Sequence, residues 1–326
     1  MISRRRVAAA LCSVLSTVVV TAAAQDGGAY PNRPVKLVVG FAAGGSSDTV
    51  ARLLAPRMAE ALGQPVVVDN RPGAGGNIAL EYVVRAPADG YTINLGTIGS
   101  LAVNQHLGKL SYNPVTDTAA VSMAVIFTNV LVVNAASDIR SLDDYVRQAR
   151  AEQTRVFFGS SGIGSSGHLA GELLKAAAGL NNQHVAYRGG APAMNDLLGG
   201  TLASVFSSPT DALQFIQAGR LRPLAVTGTK RLDALPRVPT IAESGYPGFE
   251  AVNWYAFVAP QRTPAEIVRR LNGAIVSALT DPGVVTQLRK LGLDPAPSKS
   301  EEAARFIRAE AEKWGGLVRK AGIKGE

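Results

Sequence analysis

Cys12 is the single cysteine among 326 residues, and it falls inside an N-terminal stretch with the marks of a leader. Beyond that stretch disulfides, thiol nucleophiles and cysteine-ligated metals are excluded. Histidine is nearly as scarce: His106, His168 and His184 show no spacing such as H-x-x-x-H, so no metal site is expected. No later apolar run approaches the ~18 residues that a spanning helix needs. Charge is modest too. Without Arg4, Arg5 and Arg6 the chain keeps 30 basic against 25 acidic side chains, a net +5. These charges are dispersed, with no aromatic-basic stripe, so nucleic acid is not an expected partner. A mildly positive field suits a small acidic molecule. There is no internal repeat, low-complexity tract or long charged run.

What is present begins with the leader itself. A basic start at Arg4-Arg5-Arg6, an apolar core from Val7 to Val20 and the A-x-A site Ala22-Ala23-Ala24 predict a signal peptide removed after Ala24. Ser3-Arg4-Arg5 also resembles a twin-arginine start, although Val7-Ala8-Ala9 lacks the bulky apolar pair usual there; either export route stays open. Leu11 before Cys12 is too large for a lipobox. The remaining length favours two domains and supports a buried core.

Two Gly/Ser turns stand out. Gly40-Phe41-Ala42-Ala43-Gly44-Gly45-Ser46-Ser47-Asp48 follows the apolar run Val35 to Val39, and Gly159 to Gly167 follows Arg155-Val156-Phe157-Phe158. Each reads as strand, turn, helix. Glycine lets backbone approach a ligand, and the first helical turn offers unpaired N–H groups with partial positive charge. Two such turns far apart in one chain suggest a small anion held from both sides.

Elsewhere strands alternate with helices. Strands are predicted at Val66–Val68, Tyr91–Leu95, Val121–Phe127, Val130–Val133, Arg155–Phe158, His184–Tyr187, Ser204–Phe206, Leu221–Thr227 and Asn253–Ala259, with a crossover near Thr128-Asn129. Helices are predicted at Ser46–Leu62, kinked at Pro56 and stopped by Gly63, and near Leu142–Ala149, Leu169–Ala178, Ala191–Leu198 and Ala212–Ala218. The C-terminal third reads as helical. Thr263-Pro264-Ala265-Glu266 and Asp281-Pro282 look like capped starts, and Glu301–Ala321 puts Phe306, Ile307, Trp314 and Val318 on one face. Such alternation predicts an α/β fold with mainly parallel sheets and ligands at the carboxyl ends of strands.

In order along the chain, Tyr30 to Val35, the first turn, Asn70-Arg71-Pro72-Gly73-Ala74-Gly75-Gly76-Asn77, Ala86-Pro87-Ala88-Asp89-Gly90-Tyr91 and Phe158 to Gly162 resemble the Bug/TctC family. The likeness continues through His168-Leu169-Ala170-Gly171-Glu172, Asp196 to Gly200, Ala234 to Thr240 and Ala321 to Lys324. These are periplasmic solute-binding receptors of tripartite tricarboxylate transporters. The resemblance implies a two-lobed, type II Venus-flytrap fold with two crossovers: lobe 1 from 25–128 plus 253–326, lobe 2 from 129–252. It implies a periplasmic monomer that binds a small carboxylate, takes no cofactor and no metal, has no catalytic residue and meets the transporter's membrane components. Carried over by position, the ligand contacts would be Phe41, Ala43, Gly44, Gly45, Ser46, Asn77, Thr97 and Ser100 from lobe 1. Lobe 2 would add Ser160, Ser161, Ser165, Ser166, Tyr187 and Ser207. Many relatives carry an acid within the segment that reads Phe206-Ser207-Ser208 here. Ser207 removes that charge, which argues against an amino-acid ligand and for a plain mono- or dicarboxylate.

Duller roles compete at each position. Ser46, Ser47 and Asn77 suit helix caps, Asp48 suits a dipole-stabilising carboxylate, and Thr97, Ser100 and Tyr187 suit turns or core. Arg188 suits an exposed or interlobe role, and His168 a structural one. An exported NAD-type or hydrolytic α/β enzyme is the alternative function. Gly162-Ile163-Gly164-Ser165-Ser166-Gly167 matches G-x-G-x-x-G, but Tyr187-Arg188 stands where a dinucleotide site wants an acid. Gly164-Ser165-Ser166-Gly167-His168 breaks the G-x-S-x-G elbow at its fifth position. A ligand-sensing domain of a cytoplasmic regulator is opposed by the leader.

Overall fold

The computed structural model describes residues 30–151 and 156–325. The leader, its cleavage site and Arg155 lie outside the described residues. In chain order, one region supplies β1 (Val35–Val39), α1 (Ser46–Leu62), β2 (Val66–Asn70), α2 (Asn77–Val84), β3 (Thr92–Thr97), α3 (Asn104–Leu107) and β4 (Thr118–Thr128). A second supplies β5 (Val130–Asn134), α4 (Leu142–Arg150), β6 (Phe157–Ser160), α5 (Ser166–Ala178), β7 (Gln183–Ala186), α6 (Gly190–Leu198), β8 (Ser204–Ser207), α7 (Pro209–Gln217) and β9 (Leu221–Val226). The chain then returns through β10 (Val252–Pro260), α8 (Ala265–Thr280), α9 (Pro282–Lys290), β11 (Asp294–Pro295) and α10 (Ser300–Ala321).

The strands fall into two sheets, ordered β11-β4-β10-β3-β1-β2 and β7-β6-β8-β5-β9. Each lobe is one sheet with its helices. The strands that feed the two Gly/Ser turns pair in parallel, β1 with β2 and β3, and β6 with β7 and β8. The expectation of mainly parallel sheets stops there. β10 and β5 run antiparallel to their neighbours, so both sheets are mixed. The reason is topological: β4 leaves one lobe as β5 enters the other, and β10 brings the chain back.

Burial explains the individual elements. Val35, Leu37, Val38 and Val39 are fully buried, as a strand covered on both faces requires. On α1 the side chains Val50, Leu54 and Met58 are equally buried, and Gly63 closes the helix in the left-handed region (φ 75°), its N–H donating to Ala59 O (2.9 Å). Pro56 does not break α1; the helix runs through it, with buried Leu54, Ala55 and Met58 packing the flanks. Asp281 caps α9 as expected, accepting from the Val284 N–H at 3.0 Å. Thr263 does not cap α8: Pro264 takes that position, and the Thr263 hydroxyl donates to Pro260 O instead (2.8 Å). On α10, Ile307, Trp314 and Val318 are buried, and Trp254 and Trp314 both donate their indole N–H to Glu310 Oε2 (2.9 and 3.1 Å).

Asn129 alone separates β4 from β5, whereas residues 227–251 separate β9 from β10. The two crossovers are stitched together. The Asn129 N–H donates to Thr227 Oγ1 (3.0 Å) and the Thr227 N–H to Asn129 O (3.0 Å). The Thr227 hydroxyl then donates to Ala251 O (2.7 Å).

Candidate functional site

Each Gly/Ser turn follows the carboxyl end of a strand and ends in a helix N-terminus. In the first, Gly45 occupies the N-cap of α1 with no side-chain cap, so the opening amides of this 17-residue helix have no local oxygen to serve them. The Gly44 N–H donates to Asp48 Oδ2 (2.9 Å), and Arg52 Nε grips the same carboxylate (2.9 Å). Burial alone would raise the Asp48 pKa. Hydrogen bonds from Arg52 and Gly44 outweigh it and hold the carboxyl below its usual range. Asp48 therefore shapes the loop.

In the second turn Ser165 caps α5, its hydroxyl accepting from the His168 N–H (3.4 Å). The Gly164 N–H donates to His168 Nδ1 (3.0 Å), which requires an unprotonated Nδ1. Ser160 Oγ lies 2.7 Å from His184 Nε2, and the two imidazoles lie 4.2 Å apart between centroids. Burial, then nearby Lys175, pushes the His168 pKa down to about 4. Burial, then His168 and Lys175, pushes His184 to about 3. Both rings are neutral at ordinary pH.

The two turns meet across one cavity. Phe41, Gly45, Ser46 and Ser47 line it from one side, and Ser161, Ser165, Ser166 and Gly167 from the other. The lobes touch directly there: the Ala42 N–H donates to Arg188 O (3.1 Å), and Ser208 Oγ donates to Ser46 Oγ (2.9 Å). Thr97, Ser207, Asn129, Asn253 and Tyr255 complete much of the wall, with Phe41, Val205 and Phe206 as its apolar part. Among the described residues no lysine, arginine or histidine lines it. Any anion here is held by amides, hydroxyls and helix ends. The cavity volume is about 30 Å³, room for roughly two or three waters or one carboxylate group. A larger acid enters only if the lobes part.

Eight expected contacts thus reach the cavity: Phe41, Gly45, Ser46, Thr97, Ser161, Ser165, Ser166 and Ser207. Six lie elsewhere. Ala43 and Gly44 sit in the first turn but do not line the cavity. Ser100 donates to Thr97 O and accepts from the Thr97 N–H, fixing a buried turn. Ser160 serves the second turn from behind. Tyr187 donates to Asp196 Oδ2 (2.6 Å) across lobe 2. Asn77 is the first residue of α2 after Gly76, and its Oδ1 accepts from Asn104 Nδ2 (2.8 Å) beside a different groove. Arg188 is exposed, outside the wall.

The sequence missed Asn129, Gly190, Asn253, Tyr255 and Asp211. Asp211 corrects a premise. Ser207 does leave its own position uncharged, but Asp211, in the first turn of α7, brings a carboxylate to the same wall. Burial pushes its pKa up to about 7, against the Ser46 backbone across the cleft, which favours the ionised form. The start Ser208-Pro209 with an acid in the first turn reads from sequence as ordinary helix chemistry. Only the interlobe closure aims it at α1.

Comparison with known proteins agrees with this geometry. The family model described as the tripartite tricarboxylate transporter family receptor matches residues 50–323. Protein BugT of Bordetella pertussis is 38% identical over 297 residues, 90% of this chain and 91% of that one. The structure of the periplasmic binding protein BugD superposes with a TM-score of 0.87 at 35% identity, covering 91% of this chain and all of the other. An R. palustris protein solved with adipate gives 0.87 at 38% identity, covering 90% and 99%. The family model spans most of the chain and the relatives align nearly end to end, so this chain belongs to the Bug/TctC family of two-lobed periplasmic solute-binding receptors.

Proposed function

We propose that the protein is an extracytoplasmic receptor that closes its lobes around a small carboxylate and delivers it to a tripartite tricarboxylate-type transporter. One observation carries the reading: two amide-lined turns, one per lobe, share a single cavity whose wall has no cationic side chain. Helix N-termini and hydroxyls suit a carboxylate there. Adipate in a relative 38% identical points to the same ligand class. We assign lobe 1 to 25–128 plus 253–326 and lobe 2 to 129–252, supported by the sheet membership of the strands. Export with cleavage after Ala24 follows the leader's pattern, and the protein acts as a monomer without cofactor or catalysis. The second turn's G-x-G-x-x-G is absorbed by the anion cradle.

Native mass spectrometry of protein purified without refolding identifies any co-purified acid, and calorimetry against mono-, di- and tricarboxylates then gives saturable one-to-one binding. Bound ligand raises the melting temperature by mass action, about 2.7 kcal/mol of stabilisation at a hundredfold excess over Kd. Turnover of an added acid, or no binding across the panel, overturns the receptor reading.

A further inference from the structure

The cavity is chemically lopsided. At one end the Asp211 carboxylate, in the first turn of α7, lies in the same wall as the Ser46 N–H that opens α1, and that N–H favours its ionised form. The head of α1 therefore shares its end of the cavity with a carboxylate of the chain's own. Around Asp211 stand Ser46 from α1, Gly190 from α6 and Tyr255 from β10; none is cationic, and Asp211 has no ion pair among the described residues. An incoming group at this end meets a half-buried acceptor.

The other end offers donors. Ser161, Ser165, Ser166 and Gly167 line the head of α5. Asn129, 1% exposed, accepts from Ser166 Oγ with its Oδ1 (3.3 Å), while its Nδ2 has no hydrogen-bond partner. Elsewhere in the wall, on β3 across from Tyr255, Thr97 Oγ1 is likewise unpartnered, on a residue 5% exposed. Buried polar atoms left open in a cavity wall mark where a ligand's atoms are received.

Resting on the receptor reading above, we propose that Asp211 is a specificity-determining residue. It selects, among small carboxylates, those carrying a hydrogen-bond donor, an ammonium or a hydroxyl, at the end facing α1 and α7, while their carboxylate takes the head of α5. A plain diacid would set a second negative group against a half-buried acid with no cation to share, which is costly. A donor-bearing acid completes both ends.

Two matched series test this by calorimetry on the mature protein: propionate, lactate and alanine, and succinate, malate and aspartate. Within a series the skeleton is constant and only the hydrogen, hydroxyl or ammonium changes. The hydroxy or amino member is expected to bind at least tenfold tighter than the plain acid at pH 8, and which of the two leads names the donor. Asp211→Asn is expected to cut that advantage below threefold while the plain acid binds no worse. Wild-type protein moved from pH 8 to pH 5.5 is expected to lose the advantage in the same way, without any substitution. Burial takes Tyr255 upward, away from this range, His168 and His184 titrate near 4 and 3, and the carboxyls of propionate, lactate and alanine stay mostly ionised at pH 5.5, so in that series the loss reports Asp211. Equal or tighter binding of the plain acid by wild type overturns the assignment and leaves the carboxylate receptor standing, as does an advantage that survives Asp211→Asn. Failure of all six acids to bind also overturns the Asp211 assignment, while the receptor reading stands or falls with the wider mono-, di- and tricarboxylate panel.

Discussion

Around the first turn the loop is fixed by an ion: the Asp48 carboxylate takes the Gly44 N–H and is itself clamped by Arg52 at the surface. Around the second, a neutral imidazole takes the equivalent role, with His168 Nδ1 accepting the Gly164 N–H and His184 against Ser160 behind it. Both arrangements leave backbone amides facing one cavity. They differ in what disturbs them. An ionised carboxylate paired with an exposed guanidinium is insensitive to pH near neutrality. A buried imidazole that must accept a hydrogen bond fails once it is protonated. The anchor of the first turn is thus lost only below the ordinary carboxylate range, and that of the second as pH falls toward 4.

The largest expected effect ignores this difference by blocking the shared space. Gly45→Val adds bulk where the two lobes meet, close to Ala42 O and Gly190 N. Gly45 has φ −84°, so the backbone accepts a side chain without strain. Ligand affinity should fall more than a hundredfold in calorimetry, with the melting temperature within a few degrees of wild type.

Acid probes the contrast directly. The folded pKa values of His168 and His184, about 4 and about 3, lie below the ordinary 6.5. Between those values the unfolded chain takes up protons that the folded one refuses. The stability they contribute is complete above about pH 6.5 and is lost as pH falls toward 4. Asp211 works in the opposite sense. Its folded pKa of about 7 exceeds the ordinary 3.8, so the folded state gains protons, and stability, as pH falls through 7. Melting temperatures measured from pH 8 to pH 4 should therefore drop more steeply in Asp211→Asn than in wild type. They should drop less steeply in His184→Gln. Parallel curves for all three would remove the imidazole account of the second turn.

A smaller effect should come from the ionic side. Asp48→Asn keeps an oxygen for the Gly44 N–H but loses the charge that Arg52 holds. A charge-assisted hydrogen bond becomes an ordinary one, a change of about 1 kcal/mol in stability, so the melting temperature should fall by a few degrees. The change should be equal at pH 8 and pH 5.5. A pH-dependent effect of Asp48→Asn would erase the distinction between the two turns.

Much of this fold could be read from the chain because its signals are local. Strand, glycine turn and helix N-terminus follow one another within ten residues at both 40–48 and 159–167, and each cradle appears where the pattern placed it. The crossover at Thr128-Asn129 was equally visible, because a polar residue interrupts two apolar runs. What stayed hidden depends on the return path. Tyr255 reaches the cavity because β10 pairs with β3, setting Tyr255 opposite Thr97, a partnership across more than 150 residues. Asp211 looks like an ordinary helix-opening acid until the lobes close and Ser46 meets it. Asn77 and Tyr187 show the converse limit. Both adjoin turns that look functional, yet closeness in sequence does not say which way a side chain faces, and these two face Asn104 and Asp196.

The reciprocal bonds between Asn129 and Thr227 bear on motion. Two linkers free of one another would let the lobes twist and slide as well as swing. Locked pairwise, they move as one strap, which favours a common rotation, like a door on one pin. Asn129 is part of that pin and also part of the cavity wall, where it holds Ser166. An occupant that engages its amide pulls on the pivot itself, with no relay of intervening side chains between grip and swing.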